Sequence, residues 1–238
     1  MQAASPLRKW MLLGSVFILL PIIYFLISTG KSKFRELPII GPREALANGD
    51  TLYHEVPPFS FTGIDGKPVT DKTLEGKILI VDFFFTRCGT ICPRMSAHMR
   101  ELLHMSLTTV DGYEEIVFLS HTVDPEHDST EVLAKYAYEY SADTSRWKFV
   151  TGSKEALYTQ GSDGYFLAAK EDVLAPGGFL HSEKFVLVDK RRRIRGFYDG
   201  TNPASMKELV TDAKMLVGEE RKREREAASS RPSPEEKE

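Results

Sequence analysis

Cys88 and Cys92 are the only cysteines in this chain of 238 residues, and they lie four apart in Val81-Asp-Phe-Phe-Phe-Thr-Arg-Cys88-Gly-Thr-Ile-Cys92-Pro93. Two thiols at this spacing can close to a disulfide or share a soft metal ion. An apolar, β-prone run leads into the pair and a helix-compatible run follows, so the sulfurs are expected at a strand–loop–helix corner. With Cys92 opening the helix and Cys88 on the loop before it, both sulfurs meet above the helix N-terminus. The macrodipole and free N–H groups there favour thiolate over thiol. Pro93 suits the start of a helix, where no N–H is missed. A purely structural bridge explains little, because closing so short a loop contributes only about 2 kcal/mol in the chain-entropy model. A catalytic dithiol and a metal site both remain open at this point.

A third ligand would separate those two. The histidines are His54, His98, His104, His121, His127 and His181. His98 lies six residues beyond Cys92, roughly on the opposite helix side, so it and His104 read as surface or satisfied helix residues. His54 falls in a linker and is expected to be exposed. His181 differs: it follows the flexible Pro176-Gly-Gly-Phe-Leu180 and directly precedes a strand-like run. A loop residue entering a strand beside the thiol-bearing strand can reach the same corner. His121, expected on the loop after the second strand, is an auxiliary candidate. Met95 and Met99 are soft donors, but their helical spacing reads as core. Structural zinc wants four ligands, and no good fourth stands out.

Two carboxylates complete the candidates. Asp82 sits in the apolar strand six residues before Cys88. A buried carboxylate is costly unless paired or used, so it either tunes the thiols or is hydrogen-bonded at the strand end. Asp124 lies on the loop after the second strand, at the strands' carboxyl end and near the cysteines. There it is a candidate acceptor for orienting His181.

The elements that must position these residues read as follows. Residues 31–56 form a linker. Phe59 to Thr70 alternates and contains Asp65-Gly66, a hairpin signal. Lys77–Phe85 is an unbroken apolar strand, the pattern of burial on both faces. Pro93–Thr108 fits a helix, Ile116–Ser120 a second buried strand, and Ser129–Tyr140 a helix opened by Asp128-Ser129. Trp147–Val150 is a strand, Ser153–Gln160 a short helix, and Lys184–Val188 and Ile194–Tyr198 are strands. Pro203–Leu216 closes with a helix. The order β-α-β-α-β-α-β-β-α gives an α/β sheet with an antiparallel edge. Residues 218–238, rich in Glu, Arg, Lys and Ser, are expected to fray and then lose order.

Residues 10–30 carry no charge. At about 1.5 Å per residue such a run spans roughly 30 Å, the hydrocarbon thickness of a bilayer. The run is too long for a signal-peptide core, usually about 7–15 residues, and lacks a small-residue cleavage pattern. It therefore reads as an uncleaved transmembrane anchor after a nine-residue tail, and no nearby cysteine offers a lipid attachment point. The net charge of −3 and pI of about 6.1 give no case for a nucleic-acid partner.

Several blocks resemble the SCO/SenC family of cytochrome c oxidase assembly proteins. They are Phe83 to Met95 around the cysteines, Thr122-Val-Asp-Pro-Glu-His-Asp128, Trp147 to Gly152, and His181 ahead of Phe185-Val-Leu-Val-Asp189. The resemblance spans roughly residues 57–212 and implies a thioredoxin-like domain at 57–217 in which two cysteines and a histidine bind copper. Carried over, the ligands are Cys88, Cys92 and His181. Gly89 stands where that family often has proline. The resemblance implies copper, as Cu(I) or Cu(II), delivered to the dinuclear copper site of oxidase subunit II or to another cuproprotein. A copper donor or a thiol reductant would be a further partner. The expected location is a bacterial inner membrane, crossed once, with the soluble domain facing the periplasm or the outside. Val81-Asp82-Phe83 also resembles thioredoxin, in which a buried Asp at that spacing assists thiol proton transfer. The competing readings are a membrane-anchored thiol–disulfide reductase and a peroxiredoxin-like peroxidase. The four-residue spacing, the absence of proline directly before Phe185, and His181 all favour copper over the reductase.

Overall fold

The computed structural model describes residues 19–22, 36–106, 108, 111–167, 169–171 and 179–230; the side chains at 105–106, 169–171 and 179–181 lie outside that description. The chain divides into two compact units, 1–35 and 36–238. In the first, residues 19–22 are helical, with Leu19, Leu20 and Ile22 exposed. The rest of the expected span at 10–30 lies outside the described residues. Among the described residues, no helix is long and apolar enough to cross a membrane.

The second unit is built on a seven-stranded mixed sheet. Its strands are β3 (Ser60–Gly63), β4 (Pro68–Thr70), β5 (Ile78–Phe84), β6 (Ile116–Thr122), β7 (Trp147–Thr151), β10 (Lys184–Val188) and β11 (Ile194–Asp199). The order across the sheet is β11-β10-β5-β6-β7-β3-β4. β5, β6 and β7 are parallel, with Asp82 level with Ser120 and Phe83 level with His121. β10, β11 and β3 run antiparallel to their neighbours. Every residue of β5 and β6 is buried, which is why both open on continuous apolar runs, Ile78–Val81 and Ile116–Leu119, rather than alternating ones.

Among the described residues of this unit, four α-helices alternate with the strands: α1 (Cys92–Glu101), α2 (Thr130–Glu139), α3 (Lys154–Thr159) and α4 (Pro203–Ser229). Their starts are set by local chemistry. Ser129, Ser153 and Asn202 each accept a backbone N–H from the first turn of α2, α3 and α4, satisfying donors that have no intrahelical partner. α1 and α2 cover the sheet face that bears Asp82, Phe84, Ser120 and Phe149. There Tyr136 of α2 tilts against Phe84 at 5.1 Å and shares a 2.7 Å hydrogen bond with Ser96 of α1. Met95 and Met99 are fully buried, so both are core residues, as their spacing implies. α1 ends at Glu101 and passes into a π-helical turn, Leu102–Ser106, where a single longer helix was expected.

Other differences from the sequence reading have physical reasons. The linker contains a two-stranded hairpin, β1 (Arg43–Ala45) with β2 (Thr51–Tyr53). Its residues are mostly exposed, so it carries no apolar alternation. A second small pair, β8 (Ala169–Glu171) with β9 (Phe179–His181), precedes β10. The charged stretch expected to fray instead continues α4 to Ser229. Glu219 and Glu220 are buried, and Arg195 Nη2 pairs with Glu219 Oε2 at 2.6 Å. Arg221 meets Asp111 and Glu115, and Arg223 meets Glu220. Charge that reads as solvated in sequence is internally paired in space.

Candidate metal centre

The thiol corner forms where β5 leaves the sheet. The chain turns after Phe85, whose carbonyl accepts the Cys88 N–H at 3.2 Å, and α1 begins at Cys92. The first turn of α1 contains Pro93, no acidic residue and no side-chain cap. Its positive end therefore faces the sulfurs: the Cys92 N–H points to Cys88 Sγ at 3.5 Å. Thr90 Oγ1 lies 3.6 Å from the same sulfur. No disulfide joins Cys88 and Cys92 here.

The two thiols are electrostatically unequal. Burial raises the Cys88 thiol, but hydrogen bonds from the Cys92 N–H and side chain and from Thr90 outweigh it, leaving Cys88 below the ordinary thiol range. Burial pushes Cys92, wholly shielded from solvent, in the other direction, and the neighbouring Cys88 and Asp82 add to the rise. Cys88 thus carries the more acidic thiol of the two, and Cys92 is the shielded partner. A Cβ placed at Gly89 meets nothing within 4 Å, so the loop has room there for a larger residue.

Asp82 lies beneath this corner and is buried. Ser120 Oγ donates to its Oδ1 at 2.5 Å and in turn accepts Trp147 Nε1–H at 2.9 Å. Burial lifts the Asp82 carboxyl to about 7, with the Ser120 bond opposing. A group titrating there can take up or release a proton near neutrality, and its charge acts on Cys92.

Asp124 is also buried, but its Oδ2 accepts from Arg87 Nη2 at 2.5 Å and Nε at 3.2 Å. It therefore ties the β6–α2 loop to the residue before Cys88, a partnership that two charges 37 positions apart do not announce in sequence. His181 lies at the end of β9, paired in register with Ala169; its side chain is outside the described residues. His121 is a strand residue, not a loop residue. Its ring is fully buried and stacks on Phe83 at 4.7 Å, with Phe61 and Tyr165 edge-on. Burial drives it down to about 3, so it is neutral. His54 is half-buried, not exposed, and its Nε2 lies 2.9 Å from the Gly164 carbonyl. His98 Nδ1 similarly lies 2.7 Å from the Gly200 carbonyl.

The family model described as SCO1/SenC matches residues 48–218. The chain belongs to the SCO1/SenC family. Within it, the SCO1 protein homolog of Bacillus subtilis (strain 168) is 31% identical over 166 residues, covering 69% of this chain and 84% of that protein. Among solved structures, BsSco, described as having a disulfide switch and as a member of the Sco family of cytochrome c oxidase assembly proteins, superposes with a TM-score of 0.59 at 32% identity. That match covers 70% of this chain and 95% of the other. The copper-bound structure of Arabidopsis thaliana ScoI gives a TM-score of 0.56 at 25% identity, covering 68% of this chain and 99% of that one. The fold of the matched region is accordingly the thioredoxin-like α/β fold of this SCO1/SenC family.

Proposed function

We propose that this SCO1/SenC chain is a membrane-anchored copper carrier in which Cys88, Cys92 and His181 hold the metal as cargo. The polarised dithiol at the start of α1 is the observation that supports this most directly. Cys88, held below the ordinary thiol range, and Cys92, within hydrogen-bonding reach of it, supply two soft donors. An imidazole from the β8–β9 segment makes a third. Two thiolates and one imidazole suit Cu(I) in a low-coordinate site, and the same set with a water suits tetragonal Cu(II). Three protein donors leave a position through which an acceptor can enter. The copper-bound relative supports the choice of metal. The recipient in this reading is the dinuclear copper site of cytochrome c oxidase subunit II, and the anchor is the uncharged run at 10–30.

Within this reading the remaining residues hold protons and geometry. Asp82, fixed by Ser120 and Trp147, exchanges a proton as Cys92 passes between thiol and thiolate. Arg87, neutralised by Asp124, steadies the loop that carries Cys88.

A second reading is supported by the same asymmetry: Cys88 attacks a client disulfide, and the shielded Cys92 resolves the mixed disulfide. The disulfide switch of the related BsSco points the same way. Titration of the reduced full-length chain against a competing Cu(I) chelator separates the two, alongside Cys88→Ser and His181→Ala. One tightly held copper, lost in both variants, is the expected result, with the Cys88–Cys92 disulfide still forming in His181→Ala. Unchanged affinity in His181→Ala refutes the three-ligand site. Absent binding with a reversible disulfide leaves the reductase.

A further inference from the structure

The loop bearing Cys88 is clasped to the opposite loop by a buried acid. Asp128 is 0% exposed. Its Oδ1 accepts the Thr86 hydroxyl at 2.5 Å, and its Oδ2 accepts the Thr86 backbone N–H at 3.2 Å and the Thr122 hydroxyl at 2.5 Å. Thr122 ends β6 and is level with Phe84 at the end of β5. One carboxylate thus joins the ends of the two central parallel strands. Its own loop is closed by the Asp128 N–H to the Asp124 carbonyl at 2.8 Å.

Asp124, His127 and Asp128 bring one potential donor atom each within 4.8 Å of one another. Two threonines engage the oxygens of Asp128, and a guanidinium engages Asp124. Those partners make the cluster an anchor rather than a cation site. His127 Nδ1 also lies 3.0 Å from Asp128 Oδ1, so the two threonines and this imidazole together meet the hydrogen-bonding need of the buried carboxylate.

We infer that Asp128, acting through Thr86, is a positioning residue for Cys88. Thr86 is held by both its hydroxyl and its amide, and only Arg87, itself held by Asp124, separates it from Cys88. The clasp therefore fixes where Cys88 Sγ sits relative to the Cys92 N–H. At 3.5 Å that contact is of ordinary length for a sulfur acceptor, and it weakens with displacement or misalignment. The metal arm of this inference rests on the copper reading; the redox arm does not.

The test uses the full-length chain and three variants. Thr86→Val keeps the shape and the amide but removes the hydroxyl, Thr86→Ser keeps the hydroxyl, and Asp128→Asn alters the acceptor. Cu(I) affinity is read by chelator competition, and the Cys88–Cys92 dithiol–disulfide constant is read in a glutathione series. Thr86→Val is expected to lose about tenfold or more in copper affinity, the usual effect of removing a partner that orients a metal ligand. Its dithiol–disulfide constant shifts about tenfold, which is about 30 mV. Thr86→Ser stays with the wild type, and Asp128→Asn moves with Thr86→Val. Wild-type behaviour of Thr86→Val in both readouts overturns the inference, as does a Thr86→Ser shift as large as that of Thr86→Val. Should Thr86→Val not fold, Asp128→Asn decides by the same two readouts. A wild type that binds no copper removes the copper reading alone. The redox constant then decides: a shift supports the clasp, and none overturns it.

Discussion

Replacing Asp82 by Asn will change how folding stability depends on pH. Burial raises the Asp82 carboxyl from 3.8 to about 7, so the folded state binds this proton more tightly than the unfolded chain does. The group's penalty is therefore absent below its unfolded pKa, grows as pH rises, and is complete above about 7. A rise of this size corresponds to about 4 kcal/mol. Asn preserves the acceptor for the Ser120 hydroxyl and the Trp147 bond behind it, but it carries no charge. Urea unfolding of reduced wild type and Asp82→Asn between about pH 4 and about pH 8 measures the effect, and taking the difference cancels the other titrating groups, which are common to both. The variant should gain on the wild type by about 4 kcal/mol across that range, with the change centred between the two pKa values. A stability difference that stays constant with pH would refute the reasoning. It would mean that Asp82 titrates alike in the folded and unfolded chains.

Two further outcomes follow from the same geometry. Iodoacetamide should modify Cys88 well before Cys92, with an apparent midpoint below the free-thiol value of about 8.5; mass mapping of the alkylated cysteine reads the order, and first modification at Cys92 contradicts the polarised pair. Glu219→Gln should cost about 3 kcal/mol in denaturant unfolding, since it strips a carboxylate from the buried Arg195, and an unchanged midpoint would show that Asp189 alone satisfies that guanidinium.

The central layer of this domain was legible because its signals are local. Lys77–Phe85 and Ile116–Ser120 are unbroken apolar runs, and they become β5 and β6 with small changes at the ends. Lys184–Val188 matches β10. The thiol corner was legible for the same reason, since strand, cysteines, proline and helix are contiguous. What escaped depends on distance. Glu219 looks solvated until Arg195 and the Leu37 amide, which it accepts at 2.6 Å, are brought beside it. The ion pair of Asp124 with Arg87 escapes as well, because nothing local in sequence announces it. His121 reads as a loop residue because β6 runs three residues further than its apolar stretch, ending in Ser120, His121 and Thr122. The β1–β2 hairpin buries almost nothing, so no hydrophobic period marks it.

The contacts around Arg195 also determine how the domain would carry a pulling force. Its guanidinium donates to the Leu37 carbonyl at 2.6 Å and the Pro38 carbonyl at 3.1 Å, and the Ile40 N–H donates to the Ile194 carbonyl at 2.8 Å. The first described residues of the domain are thus sewn to strand β11 and, through Glu219, to α4. Tension applied at residue 36 meets these bonds before it reaches the sheet interior. β10 lies between β11 and β5, the strand that leads to Cys88. The thiol corner therefore stands behind a mechanical buffer, and force applied at residue 36 would load the domain's edge before the strand that leads to its two sulfurs.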